Sequence, residues 1–137
     1  MIDLNVNDYQ EDIVAISIQA VQEDKLRSDL AALEEVWKGT SFSIEIDEKT
    51  ECPILIKLDD IFTILDESLA NINMVLGSRF VKPLRSEAEQ WKKWIFTIND
   101  MIEQWQMCQL NWRYLENIFM RAADIRKSLP DETKKFE

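Results

Sequence analysis

Two pairs of neighbouring carboxylates are the residues whose types and spacing could do chemistry. Asp59 and Asp60 lie seven residues before Asp66 and Glu67, so one helix would carry both pairs two turns apart. Adjacent carboxylates could share a proton or hold a cation. The spacing of an EF-hand calcium loop is absent, however, and both pairs fall off the apolar stripe of their segment. We therefore expect a solvated helix face, with no catalytic residue and no metal site.

Several catalytic and cofactor-binding arrangements are missing from the sequence. The chain has no histidine, which removes Ser-His-Asp and Cys-His catalysis, most zinc sites and the histidine-containing di-iron motif. Its two glycines, Gly39 and Gly77, are too far apart to form a phosphate-binding loop. Cys52 and Cys108 are isolated, so we expect buried thiols in a reducing, intracellular compartment rather than a disulfide. No cofactor site is expected in this chain.

Composition and charge narrow the classes of partner. The 137 residues are 46% hydrophobic and 31% charged, which suits one globular domain. Residues 1–78 hold 5 basic and 17 acidic side chains, a balance of −12, whereas residues 79–137 hold 11 and 9, a balance of +2. The acidic half argues against nucleic acid and membranes as partners, and leaves a solvated acidic surface or docking onto a basic protein. No secretory signal is recognisable, and no uncharged run is long enough to span a membrane.

The elements that must position these residues are predicted to be mainly helical. Glycine and proline are scarce, so the predicted fold is an elongated bundle of long helices with one short β-hairpin. The first helix covers residues 8–38, with a slip in apolar phase near residues 23–25 that suggests a kink. It ends at Gly39, in the C′ position that glycine favours. Alternating residues around a polar turn predict the hairpin at 41–58, which needs helices or another sheet beside it.

Three further helices complete the predicted order of elements. Amphipathic spacing predicts a helix at 58–76, and a long helix follows at 84–121. Pro130, followed by acids, predicts the start of another helix at 130–137. We interpret residues 1–137 as a single segment of a larger helical rod.

The long helix carries the clearest pattern of the sequence, a heptad repeat of large apolar residues. Four of the five tryptophans belong to it. Because two-stranded coiled coils favour aliphatic residues in their seam, this aromatic seam suits packing inside a bundle, although an open docking face would show the same pattern. The predicted seam consists of Trp91, Trp94, Ile98, Met101, Trp105, Cys108, Trp112, Leu115 and Phe119. Arg113 and Tyr114 lie off it and form a possible contact face.

One set of residues forms an ordered pattern along the chain: Leu33 to Trp37, Phe42, Leu58 to Ile61, Leu65, Asp66, Ser78 to Val81, Trp91, Trp105, Gln109, Trp112, Tyr114 to Glu116, Ile118, Phe119, Asp124, Ile125, Leu129, Pro130, Glu132 and Phe136. In this order they resemble the linker region of dynein heavy chains, also called N-terminal region 2. The resemblance covers roughly residues 9–137, with modest departures from the family pattern at Leu76 and at Ala122–Ala123. SRFVKP and the Arg-Lys after Asp124-Ile125 are similar to axonemal rather than cytoplasmic chains.

The resemblance implies a mechanical role. The linker of that family is a helical rod that arches over a ring of AAA+ ATPase modules and changes shape during the power stroke. ATP and Mg²⁺ would then bind modules elsewhere in the parent chain. The implied partners are the motor's own ring, the rest of the linker and tail, intermediate and light chains, and the microtubule through a distant stalk. The implied location is the cytoplasmic cytoskeleton, in a ciliary or flagellar axoneme.

Two other classes of function remain open at this point. An unrelated helical scaffold, such as a spectrin-like repeat, could share heptads and a tryptophan core, but would not explain the hairpin or the lack of an internal repeat. An independent enzyme is disfavoured by the missing histidine and phosphate loop.

Overall fold

A computed structural model describes residues 9–48 and 52–136 of the chain. Within them the fold is mainly α-helical with one two-stranded sheet, which confirms the predicted fold class. The predicted helix start at residue 8, positions 49–51 of the hairpin turn and residue 137 lie outside the described residues. The elements are α1 (Gln10–Gly39), β1 (Ser43–Ile46), β2 (Pro53–Ile56), α2 (Leu58–Gly77), a 3₁₀ turn (Lys82–Leu84), α3 (Arg85–Arg121), α4 (Ala123–Ser128) and α5 (Pro130–Phe136).

The end of α1 differs from the predicted glycine cap. Gly39 is the last helical residue and does not have a positive φ. Thr40 follows in an extended conformation, and its backbone N–H donates to the carbonyl of Trp37 at 3.3 Å. The Thr40 hydroxyl also donates to the carbonyl of Val36 at 2.7 Å. Because these two bonds satisfy terminal carbonyls, the helix ends without a left-handed glycine.

The two halves of α1 have different surroundings. Leu26, Leu30 and Leu33 are buried, whereas residues 10–22 are all exposed, including Ile13 and Ile16. The helix is unbroken through residues 23–25, where the sequence suggested a kink. The change in apolar phase there therefore marks the point at which burial begins.

α2 buries one continuous side. Its apolar buried positions follow helical spacing from Leu58 through Leu65 to Val75. α1 and α2 contact each other. The burial of each large aliphatic side chain stabilises the fold by about 1.5–3 kcal/mol, so this stripe is a main source of stability.

The residue between β2 and α2 has an uncommon backbone conformation. Lys57 lies in the left-handed region, with φ 55° and ψ 38°. A side chain there costs roughly 1–2 kcal/mol, because Cβ approaches the following carbonyl oxygen. The conformation turns the chain directly from the strand into the helix without any longer loop.

A short helix after α3 was not predicted. α3 ends at Arg121, and Ala122 has an extended ψ of 95°. α4 then places Asp124 in its first turn and Arg126 and Lys127 in its last, which complements the helix dipole. That charge order was the available signal, but the absence of glycine or proline concealed the break.

The contacts of the chain group it into two compact units. Of the described residues, one unit contains those up to residue 43 and residues 57–97, and the other contains those between residues 44 and 56 and those from residue 98 onward. In the first unit the core includes Val81, Leu84 and Ala88 beside the α1 and α2 residues. In the second, Ile54 of β2 and Ile102 of α3 are buried. The sequence suggested one domain and gave no sign of this division.

Candidate functional site

The hairpin is joined to α3 by a side-chain amide. The backbone N–H of Leu55 donates to Oε1 of Gln109 at 2.9 Å, and Nε2 of Gln109 donates to the carbonyl of Leu55 at 3.1 Å. In a sheet, a neighbouring strand supplies this same pair of bonds to one residue. Gln109 thus occupies the edge of β2 that lies opposite β1, and it supports the isolated hairpin that the sequence led us to expect.

A second contact joins the same two elements one helical turn further along α3. Nη2 of Arg113 donates to Oδ2 of Asp47 at 3.1 Å, and the Asp47 side chain is only 17% exposed. The backbone N–H of Asp47 donates to the carbonyl of Cys52 at 3.0 Å, which ties the residues on either side of the hairpin turn. Gln109 and Arg113 are four residues apart and hence on one face of α3. We call this pair of contacts the hairpin clamp.

A mostly apolar groove lies beside the hairpin clamp. It has a volume of about 260 Å³, and its walls come from β2 and the residue before it on one side and from α3 on the other. The lining residues are Cys52, Pro53, Ile54, Trp105, Cys108, Gln109 and Trp112. Cys52 is half-buried and Cys108 exposed, so the expectation that both thiols are buried is wrong.

The predicted seam is only partly buried in this chain. Trp91, Ile98, Trp112 and Phe119 are half-buried, but Trp105 is 57% exposed. The other four seam residues are all exposed: Trp94, Met101, Cys108 and Leu115. In this chain the seam is therefore partly covered and partly open to solvent. Its packing against another helix stays a prediction.

The buried line of α3 runs beside the predicted one. Ala88, Ile95 and Ile102 are 0–4% exposed and recur every seven residues. They lie on one face of α3, whereas Met101, next to Ile102 and about 100° away around the helix, is 65% exposed. Ile95 and Ile102 are thus buried, whereas the seam residues that precede them in the sequence, Trp94 and Met101, are exposed.

The two residues of the predicted contact face behave differently. Arg113 contacts Asp47 of the hairpin, so it serves within the chain. Tyr114 is 68% exposed. Contact of Tyr114 with another protein surface stays a prediction.

The other unit contains a polar contact between α1 and α2. Nε1 of Trp37 donates to the hydroxyl oxygen of Ser68 at 3.1 Å. Ser68 is 2% exposed and lies in the buried stripe of α2. A buried hydroxyl needs such a partner, and the indole N–H therefore fixes the register of the two helices.

A second groove in that unit lies between α1 and the turn after α2. It has a volume of about 700 Å³, and Ile18, Arg79, Phe80 and Lys82 are among the residues that line it. The Arg79 guanidinium carbon lies 4.7 Å from the centre of the Phe80 ring, a cation–π distance. The groove is broad and presents no cluster of acids or nucleophiles.

The candidate carboxylates lie on the surface of α2. Asp59, Asp60, Asp66 and Glu67 are exposed, as a solvated helix face requires. Among the described residues, no three metal-ligating side chains come together. The hydrogen bond from Lys38 to Glu34, with that to Glu35, raises the pKa of Lys38 above its ordinary value, but all three lie on a helix surface.

The described helices contain no segment long and apolar enough to cross a membrane.

Sequence reasoning missed the roles of the polar residues in these contacts. Gln109 was noted only as one of the residues that resemble the dynein linker, and Ser68 was not considered. A signal was available for both, because each is a polar residue at a position where the apolar spacing predicts a buried side chain. Their partners could not be named, since the spacing does not give the distances between elements.

Comparison with known proteins gives one family. The sequence profile of "Dynein heavy chain, N-terminal region 2" matches residues 1–137, the whole chain. This confirms the resemblance drawn from the residues.

Individual relatives agree with that match. Dynein axonemal heavy chain 6 of Homo sapiens is 40% identical over 135 residues, which is 97% of this chain and 3% of the relative. Dynein axonemal heavy chain 12 of Mus musculus is 33% identical over 134 residues, covering 98% of this chain and 4% of the relative. A Chlamydomonas reinhardtii protein, the dynein-1-alpha heavy chain of the flagellar inner arm I1 complex, is 32% identical over 142 residues, covering 100% and 3%. The chain thus spans a small part of the length of these relatives.

Proposed function

This chain belongs to the family of dynein heavy chain N-terminal region 2, and we propose that it is a segment of the mechanical linker of a microtubule-based motor. In this role it transmits shape changes of an ATPase ring as the power stroke. It performs no catalysis itself.

The hairpin clamp is the observation that supports this role most directly. Gln109 and Arg113 hold the hairpin on α3 by three directional polar contacts, and directional contacts resist sliding better than apolar packing alone. In the other unit, the bond between Trp37 and Ser68 restricts α1 and α2 in the same way. Helices held in register transmit a displacement, whereas loosely packed helices absorb it.

We place ATP and Mg²⁺ in other parts of the parent chain. The acidic residues of α2 are exposed to solvent, as most carboxylates on protein surfaces are. The two glycines of the sequence, Gly39 and Gly77, are too far apart to form a phosphate-binding loop. The chain therefore contributes geometry rather than reaction chemistry.

The proposed partners follow from the same role. They are the motor's AAA+ ring, the remaining linker and tail, and, through the parent chain, intermediate chains, light chains and the microtubule. Because the relatives are axonemal or flagellar heavy chains, we propose a ciliary or flagellar axoneme as its location. Neither nucleic acid nor membrane is a proposed partner, since the net charge is −10.

A spectrin-like scaffold is the less favoured alternative. The family match covers the whole chain, and the hairpin between α1 and α2 has no place in a simple repeat of helices.

An insertion in the parent heavy chain tests the mechanical role. A flexible Gly-Ser segment placed after Ala122, where the helix is already interrupted, should lower the velocity of microtubule gliding and leave ATP turnover intact. Gliding at the unmodified velocity would contradict the proposal.

Calorimetry tests the absence of catalysis in this chain. Titration of the folded 137-residue chain with Mg-ATP should give no heat of binding. Saturable binding at micromolar concentrations would contradict the proposal.

A further inference from the structure

The groove beside the hairpin clamp brings together the two cysteines of the chain. Cys52 and Cys108 are both free thiols, and they are separated widely in sequence but line the same groove. Cys52 directly precedes β2, while Cys108 directly precedes Gln109 on α3. The clamp thus holds the elements that carry the two thiols side by side.

The groove that both thiols line is accessible to a small reagent. The groove is mostly apolar and open, and Trp105, which lines it, is 57% exposed. A disulfide needs the two Cα atoms within about 7 Å of each other. Closing the groove would bring its walls together and bury part of the exposed tryptophan, so apolar burial favours the movement that the bond requires.

We propose that Cys52 and Cys108 form a redox-responsive pair that locks the hairpin to α3. The oxidant is a low-molecular-weight disulfide such as oxidised glutathione. The exposed Cys108 thiolate attacks it first and forms a mixed disulfide, with release of one glutathione thiolate. The Cys52 thiolate then attacks the Cys108 sulfur and releases the second glutathione. Two protein thiols are oxidised, one glutathione disulfide is reduced to two thiols, and both protons pass through water.

The bond changes the character of the hairpin clamp. In the reduced chain three non-covalent polar contacts hold the hairpin on α3. In the oxidised chain a covalent link beside Gln109 prevents the hairpin from leaving α3. Reduced glutathione or a thioredoxin-like dithiol reverses the reaction by the same exchange. The proposal concerns the chain itself and does not depend on the motor role.

Mass spectrometry of the chain after incubation with oxidised glutathione tests the proposal. We expect a monomer that has lost two hydrogen atoms and that carries neither a glutathione adduct nor a reactive thiol. Reduction should restore the original mass and both thiols. The fluorescence of Trp105 and Trp112 should fall as the disulfide forms beside them. A monomer that carries two glutathione adducts, a disulfide-linked dimer, or unreacted thiols would each overturn the proposal.

Two conservative variants test the order of the steps. Cys52→Ser should accumulate one glutathione adduct on Cys108, because the second exchange is blocked. Cys108→Ser should react more slowly, because its remaining thiol is half-buried. Circular dichroism verifies that both variants are folded, and the unmodified chain supplies the main result without any substitution. Faster modification of Cys108→Ser than of Cys52→Ser would overturn the proposed order.

Discussion

Gln109 binds the backbone of Leu55 through both atoms of its side-chain amide, at 2.9 and 3.1 Å. A side chain on a helix thereby replaces the neighbouring strand that β2 lacks on that edge. A strand edge left open is a site for unwanted pairing with other chains, so this bond both anchors the hairpin and covers its edge.

Gln109→Leu should destabilise the chain by about 1–3 kcal/mol. The substitution leaves the N–H and C=O of the half-buried Leu55 without their partner, and unsatisfied groups of that kind cost this much. Urea denaturation measures the loss, and hydrogen exchange at the Leu55 amide should become faster.

The matched control for this prediction is Gln106→Leu, which makes the same chemical change on an exposed position of α3. It should alter the free energy of unfolding by less than about 0.5 kcal/mol. Equal effects of the two substitutions would show that the amide of Gln109 has no special role.

Met101 belongs to the predicted seam, and the next residue, Ile102, belongs to the buried line of α3. Ile102 is 4% exposed and Met101 is 65% exposed. Ile102→Ala should cost about 2–5 kcal/mol, as large-to-small changes in a core do, whereas Met101→Ala should change the free energy of unfolding by about 0.5 kcal/mol or less. Thermal or urea unfolding measures both, and the reverse order would restore the predicted seam as the core.

A double-mutant cycle on Trp37 and Ser68 should reveal the bond between α1 and α2. Trp37→Phe, Ser68→Ala and the double variant should give a coupling energy of about 0.5–1.5 kcal/mol, the net contribution of one hydrogen bond. The control cycle combines Ser68→Ala with Trp94→Phe, since Trp94 is exposed, and it should show no coupling. Additive effects in the first cycle would mean that the bond contributes nothing.

Lys57→Gly should stabilise the chain by about 0.5–1 kcal/mol. Glycine removes the steric cost of roughly 1–2 kcal/mol at positive φ, and this gain exceeds the cost of glycine's greater freedom in the unfolded chain, about 0.5–1 kcal/mol. Lys57→Ala is the control, because it removes the same side chain and keeps Cβ; it should leave the free energy of unfolding nearly unchanged. A loss of stability with glycine would contradict a strained Lys57.

The order of the main elements was predictable because local signals mark it. Alternation gave the hairpin, and Pro53 begins β2, where the missing N–H is tolerated. Helical spacing gave α2 and the long α3. The short α4 was missed because its break at Ala122 has no glycine or proline.

The hairpin clamp and the buried line of α3 depend on distances between elements, which the spacing of residues along the sequence does not give. The heptad predicted a seam through Met101, but burial follows Ile102, which lies about 100° further around the helix. The sequence likewise showed Gln109 as a polar residue within an apolar helix, without showing that β2 lies within hydrogen-bonding distance of it.

The most direct measurement of the central claim compares movement with ATP turnover in the parent heavy chain carrying Gln109→Leu. If the hairpin clamp transmits displacement, microtubule gliding should slow while ATP turnover persists, and Gln106→Leu should affect neither. Hydrogen exchange at the Leu55 amide verifies that the clamp is loosened in the same preparation. Unchanged gliding velocity with a loosened clamp would contradict the claim that this segment works by holding its elements in register.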